Sequence, residues 1–244
     1  PGLTVLHFAG THVPYFVDPA DAPFAPWTQR PSWRSLGELH NAYKNAIALQ
    51  DGLVARCVRA FVDAQRGGPY LVVFTSDHGE AFGEAGAIHH GQNLYAEQTH
   101  VPLWVAFGNG ALRREEAQHL THHAAGLVTH FDVVPTVLHA LGAVAPPDAR
   151  RAFAGQSWLA APRPRTPLAL TNCTSLFPCP LDTWGALDDA VLVTAQPWDA
   201  AWRCVAHAPA GGPSLELPES DSRCAAARGR AIQAFGRRPG GASP

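Results

Sequence analysis

Apolar residues follow two kinds of spacing along this chain. From about Leu36 to Ala64, the positions Ala42, Ala46, Leu49, Leu53, Cys57 and Phe61 recur at helical intervals and stop before Arg66-Gly67-Gly68. That pattern predicts one long amphipathic helix with Cys57 as a core thiol. Continuous β-prone runs predict strands at 3–8 (LTVLHF), 70–75 (YLVVFT) and 101–107. Between the first run and the helix, Pro14, Pro19, Pro23, Pro26 and Pro31 leave no room for a regular element. A further helical run near 131–141 follows Asp132, with Pro135 tolerable in its first turn.

Strands alternating with helices predict an α/β catalytic domain over residues 1–145, with a largely parallel central sheet flanked by helices. The Pro- and Arg-rich stretch 146–166 reads as a connector. Short strands at 168–171, 190–194 and 202–206, then a helix from about 220 to 235, predict a small β-rich subdomain over 167–236, and 237–244 reads as a loose tail.

Composition narrows the class. The chain has 244 residues, of which 46% are hydrophobic, and a formal charge of -2. A chain of this length can bury roughly 70–75% of its unfolded surface, which excludes a disordered protein. The balanced charge gives no general attraction for nucleic acid. No apolar run reaches the ~18 residues of a membrane-spanning helix. Met is absent and Lys44 is the sole lysine among 18 basic residues. With Pro at position 1, this leads us to expect a piece of a longer protein, with any membrane tether supplied by a region upstream.

Cys173, Cys179, Cys204 and Cys224 form no CxxC pair, so two local disulfides are expected rather than a zinc ribbon. Asn172-Cys173-Thr174 matches the N-glycosylation sequon. Both features point to an extracytoplasmic setting, whether secreted, lumenal or periplasmic.

The chemistry concentrates where the 70–75 strand runs into Ser76-Asp77-His78-Gly79-Glu80, followed by His89-His90-Gly91. Ligands of open α/β sheets bind beyond the carboxyl ends of strands. Asp77 and His78 can reach one metal, or two neighbouring ones, if the chain turns at Gly79. Read alone, Asp77 also suits a cap and His78 a surface position. A carboxylate beside imidazoles favours zinc or manganese over calcium, which prefers all-oxygen ligands.

These residues carry a resemblance. Thr75-Ser76-Asp77-His78-Gly79-Glu80, Gly83-Glu84, His90-Gly91, Leu94-Tyr95-Ala96-Glu97 and Val101-Pro102-Leu103 resemble the corresponding block of the sulfatase branch of the alkaline phosphatase superfamily. His7 to Tyr15 is similar to that family's H-x-x-x-x-H-x-P-Y segment, and Asp132 to Leu138 with Leu141-Gly142 to its D-x-x-P-T-x-L...L-G helix. The resemblance implies an alkaline-phosphatase-like α/β sandwich, incomplete at its N-terminus. It implies a divalent metal held by Asp77 and His78, with His12 and His90 meeting the anionic group as catalytic and substrate-binding residues. His89 and His100 read as polar neighbours. The substrate would be an anionic ester, on a carbohydrate or a lipid.

Two departures qualify the substrate. No cysteine begins a C-x-P-x-R motif, so the family's nucleophile is expected upstream and the isolated segment is expected to be inactive. Where many sulfatases carry Lys-Gly, this chain has His90-Gly91, as phosphoethanolamine transferases and some sulfatase-like enzymes do. The leading expectation is sulfate-ester hydrolysis, with phosphoethanolamine transfer as its rival and an inactive pseudoenzyme or binding fragment as a third reading. Trp184, Trp198 and Trp202 read as core anchors of the C-terminal subdomain, with a carbohydrate groove as the alternative.

Overall fold

The computed structural model describes residues 2–143, 153–172, 183–187, 191–198, 201–207 and 214–235. The chain forms two compact units. One comprises Pro1–Thr75, Glu80–His89 and Leu103–Arg113; the other comprises Ser76–Gly79, His90–Pro102 and Arg114–Pro244.

In the first unit the expected long helix is present as α1, Leu36–Ala64. It ends where Arg66 and Gly67 take φ of +50° and +84°, values that stop helical hydrogen bonding. Leu39, Ala42 and Ala46 are buried along one face. Asn45 is buried among them for a different reason: its side chain accepts from Phe24 N and donates to Phe24 O, both at 2.9 Å. That two-way clamp satisfies a buried amide and fastens the proline-rich segment, which is otherwise irregular apart from two short 3-10 turns. Asn41 adds a bond to Pro26 O at 2.9 Å. Cys57 is a half-buried free thiol rather than a core one, because the later turns of α1 are only partly covered.

The strands β1, Tyr70–Thr75, and β4, Leu103–Gly108, pair antiparallel from Tyr70↔Gly108 to Thr75↔Leu103. Between them in sequence lie β2, Ala81–Phe82, and β3, Ile88–His89, which pair antiparallel, and the one-turn helix α2, Ala96–Thr99. The expected strand at 101–107 starts at Leu103, after Pro102, which lacks a ladder donor.

Two expectations are corrected here. Among the described residues every paired strand is antiparallel, so the largely parallel sheet is not found. An apolar run does not encode strand direction. Residues 3–8 form no strand: Leu3, Val5 and Leu6 stay 60–78% exposed, and no described segment pairs with them. β-propensity without a partner leaves ladder groups unsatisfied and so gives no strand.

The second unit carries α3, Arg114–Ala124, α4, Val133–Ala140, and a five-stranded antiparallel sheet in sequential order. Its strands are β5, Leu168–Thr171, β6, Trp184–Leu187, β7, Leu192–Trp198, β8, Ala201–His207, and β9, Leu215–Leu217. Helix α5, Ser222–Phe235, packs on β5, β6 and β7. Cys204 and Cys224 form a disulfide that ties β8 to α5. Cys173 and Cys179, the sequon's Cys173-Thr174, the tail at 237–244 and the side chain of Trp198 lie outside the described residues. Trp184 is fully buried beside Phe235, as a core anchor, and Trp202 lies beneath the Arg228 guanidinium.

Asp132 organises the segment after α4. Fully buried, it takes both Arg165 nitrogens, at 3.1 and 2.7 Å, and the N–H groups of Gln156 and Thr129, each at 2.8 Å. Burial alone would raise its pKa, but the Arg165 guanidinium and the two backbone donors outweigh that and hold the carboxyl below its ordinary range. Thr136 donates to Asp132 O at 2.7 Å and accepts from Trp158 N at 3.0 Å. The D-x-x-P-T pattern is therefore an anchor for residues 156–165.

Candidate active site

β1 ends at Thr75, and the chain turns through Ser76, Asp77, His78 and Gly79. Four bonds fix this turn. The Ser76 hydroxyl donates to His78 O at 2.7 Å, His78 N to Asp77 Oδ1 at 3.0 Å, His130 Nε2 to Ser76 O at 2.8 Å, and Gly79 N to Gln98 O at 3.0 Å. Gly79 is required by close approach, since a Cβ there would run into the carbonyl oxygen of Glu97.

The His78 ring donates from Nδ1 to Gly79 O at 3.0 Å, which in the neutral ring leaves the lone pair on Nε2. That nitrogen lies 3.8 Å from Asp77 Oδ2. Two electron-pair donors facing each other in this way suit a shared cation, and a ring oriented through its other nitrogen is the usual state of a metal-binding histidine.

His90 meets His78 with ring centroids 3.9 Å apart. Its loop turns sharply: His89 and Gly91 have φ of +69° and +78°. Positive φ at a residue other than glycine costs energy and marks a place where surrounding contacts overrule local preference. Just beyond the turn, the buried pair Asn93 and Gln98 fixes the chain. Gln98 accepts from Gln92 N at 3.3 Å and donates to Asn93 Oδ1 at 2.9 Å, which also accepts from Tyr95 N at 2.9 Å. Through its own carbonyl Gln98 also holds Gly79 N, so one residue ties together the segments bearing His78 and His90.

In the first unit, Glu80 has a side chain only 4% exposed. Tyr15, fully buried, donates its phenol to Glu80 Oε2 at 2.6 Å, and His89 Nδ1 lies 3.4 Å from the same oxygen. Tyr15 is boxed in by Tyr43 and Phe82, and Gln29 donates to its carbonyl at 2.5 Å. Burial, and next the bond to Glu80, push the Tyr15 phenol far above its ordinary pKa, so it remains a donor. Burial and the nearby Glu80 charge raise Tyr43 as well. His12 is exposed, with Nδ1 donating to Val13 O at 2.7 Å.

Within the second unit, the His78 and His90 rings stand together with the Asp77 carboxylate beside His78. Two imidazoles and a carboxylate are a donor set suited to a first-row divalent cation. Of the residues expected from sequence, the structure brings His78 and His90 together with Asp77 beside them, and places His12 in the other unit. Asn172 lies at the end of β5, where its amide accepts from Thr183 N at 2.9 Å and donates to Gly91 O at 3.2 Å. Sequence reasoning gave no role to Glu80 or Tyr15, although both stand inside the motifs quoted, and it overlooked Asn93 and Gln98 altogether.

Comparison with known proteins decides the family. The family model described as Sulfatase matches residues 1–143. The chain belongs to the sulfatase family.

Among this sulfatase-family chain's relatives, it is similar to Phosphatidylethanolamine transferase Mcr-1 of Escherichia coli, 32% identical over 143 residues, covering 54% of this chain and 26% of that protein. It is 28% identical over 144 residues to Phosphatidylethanolamine transferase Mcr-2 of Escherichia coli, covering 56% and 26%. It is 30% identical over 126 residues to Uncharacterized sulfatase YidJ of Escherichia coli (strain K12), covering 52% and 22%. The matched part thus spans about a quarter of the length of these relatives. No solved structure matches the chain. Among the described residues no helix is long and apolar enough to cross a membrane.

Proposed function

We propose that this segment supplies the metal- and anion-binding part of an enzyme that transfers phosphoethanolamine from a lipid donor. The pairing of His78 with His90, in a chain where His90-Gly91 replaces Lys-Gly, carries this reading, and the names of the two transferase relatives support it. In the reaction, a P–O bond of the donor ester breaks, a P–O bond to the acceptor forms, and the departing oxygen takes up a proton.

Asp77 and His78 would hold a divalent cation, with His90 as a further nitrogen donor beside His78, and zinc or manganese would suit them better than calcium, given the nitrogen donors. When bound, such an ion polarises the ester oxygens and offsets charge developing on them. His12 would meet the anionic group, donating a hydrogen bond or a proton to the leaving oxygen. An extracytoplasmic location agrees with the Cys204–Cys224 disulfide.

Sulfate-ester hydrolysis is the second reading, favoured by the family model and by the relative named a sulfatase. The test offers the intact protein phosphatidylethanolamine in vesicles and, separately, an aryl sulfate. Metal-dependent release of diacylglycerol supports transfer. Sulfate release without diacylglycerol overturns it for hydrolysis, and no turnover of either, with metal supplied, favours a pseudoenzyme.

A further inference from the structure

The sheet β5–β9 lies beyond the residues matched by the family model, yet its side chains grip the loop that carries His90. Among the described residues, contacts run to residues 91–95 from Asn172, just past β5, and from the sheet itself. Asn172 Nδ2 donates to Gly91 O at 3.2 Å. Leu94 is buried against β6, its Cδ1 3.2 Å from where a Cβ on Gly185 would stand. The Tyr95 ring lies 4.4 Å from the buried ring of His207 on β8.

Of these, the Asn172 bond is nearest to His90, and it acts on the carbonyl of a residue whose φ is +78°. Asn172 is itself locked. Its N–H donates to Thr183 O at 3.3 Å, while its Oδ1 accepts from Thr183 N at 2.9 Å. With the oxygen committed, the amide orientation is set and Nδ2 faces Gly91. A chain turning at His89 and again at Gly91 keeps the intervening ring in place only while something holds the turn from outside.

We propose that Asn172 is a positioning residue for His90: its amide pins the His90-Gly91 turn to the C-terminal sheet and so sets the distance of the His90 ring from His78. The proposal rests on the metal reading above. It gives the C-terminal sheet a part in the site, and it gives the sequon asparagine a role that needs no glycan. Nδ2, the atom a glycan would occupy, is the one engaged with Gly91.

The test is zinc affinity of the full-length protein, by calorimetric titration with zinc alone, for His90→Ala, Asn172→Ala, the double variant and Thr174→Ala, with thermal unfolding measured in parallel. Loss of a group that orients a metal-binding residue costs roughly 10–100-fold in affinity. Asn172→Ala is expected to weaken zinc about tenfold, His90→Ala more, and the double variant no more than His90→Ala alone, as for residues acting through one another. Thr174→Ala, which removes the sequon but keeps the amide, is expected to bind like the parent. Unchanged affinity in His90→Ala would overturn the metal reading itself. If His90→Ala weakens zinc while Asn172→Ala stays within twofold of the parent, or if the two losses add, the positioning role is overturned. A melting temperature lowered in Asn172→Ala with zinc affinity intact would likewise reduce it to a structural bond.

Discussion

The ring centroids of His78 and His90 stand 3.9 Å apart with their planes inclined at 32°, although twelve positions separate the two residues in sequence. No local pattern demands that meeting. It follows from Gly79 N binding Gln98 O while the Gln98 side chain holds Gln92 and Asn93. The first prediction follows from this. Gln98→Leu removes both side-chain bonds of a buried amide at similar volume, taking one bond each from Gln92 N and Asn93 Oδ1. A cost of about 1–3 kcal/mol is expected by chemical denaturation, together with weaker zinc binding.

Asp77→Ala in the intact protein should abolish turnover by removing a carboxylate that faces His78 Nε2 at 3.8 Å. Steady-state assays at saturating metal would show this, and near-parental activity would remove Asp77 from the site.

Asp132 and Arg165 are both largely buried and joined by two hydrogen bonds. Asp132→Ala is expected to cost about 3–5 kcal/mol, because it leaves a buried cation without its carboxylate. Urea unfolding would measure it. A loss below about 1 kcal/mol would contradict the anchoring role.

How much of this was legible in the sequence depends on whether the signal is periodic. The bounds of α1, β1 and β5, and the end of α5 at Phe235, fall where apolar spacing and glycine placement set them. The run at 3–8 misled because strand propensity says nothing of a partner, and antiparallel pairing of β1 with β4 was hidden because direction leaves no mark in composition. Asp77, His78 and His90 were visible as chemical types in a motif. The bonding roles of Asn45, Gln98 and Asn172 were not: each bonds to backbone groups of another segment, and such bonds depend on tertiary approach that no spacing rule encodes.

His207 supplies a pH test. Its ring is buried, with Thr194 Oγ1 at 3.0 Å and Ser214 Oγ at 2.8 Å, and burial depresses its pKa to about 4. The unfolded ring titrates near 6.5. Between those values the unfolded state binds the extra proton, so stability is full above about pH 6.5 and falls as pH drops toward 4, by on the order of 3 kcal/mol. His207→Gln should lower stability at pH 7 yet flatten this slope in denaturation at stepped pH. An unchanged slope would contradict the assignment.

The most direct test of the metal reading is anomalous diffraction at the zinc edge from crystals of the intact protein grown with zinc. The expected result is a peak about 2.0–2.1 Å from His78 Nε2, with Asp77 or His90 completing the coordination. A fully occupied zinc elsewhere, with none beside His78, would contradict the account.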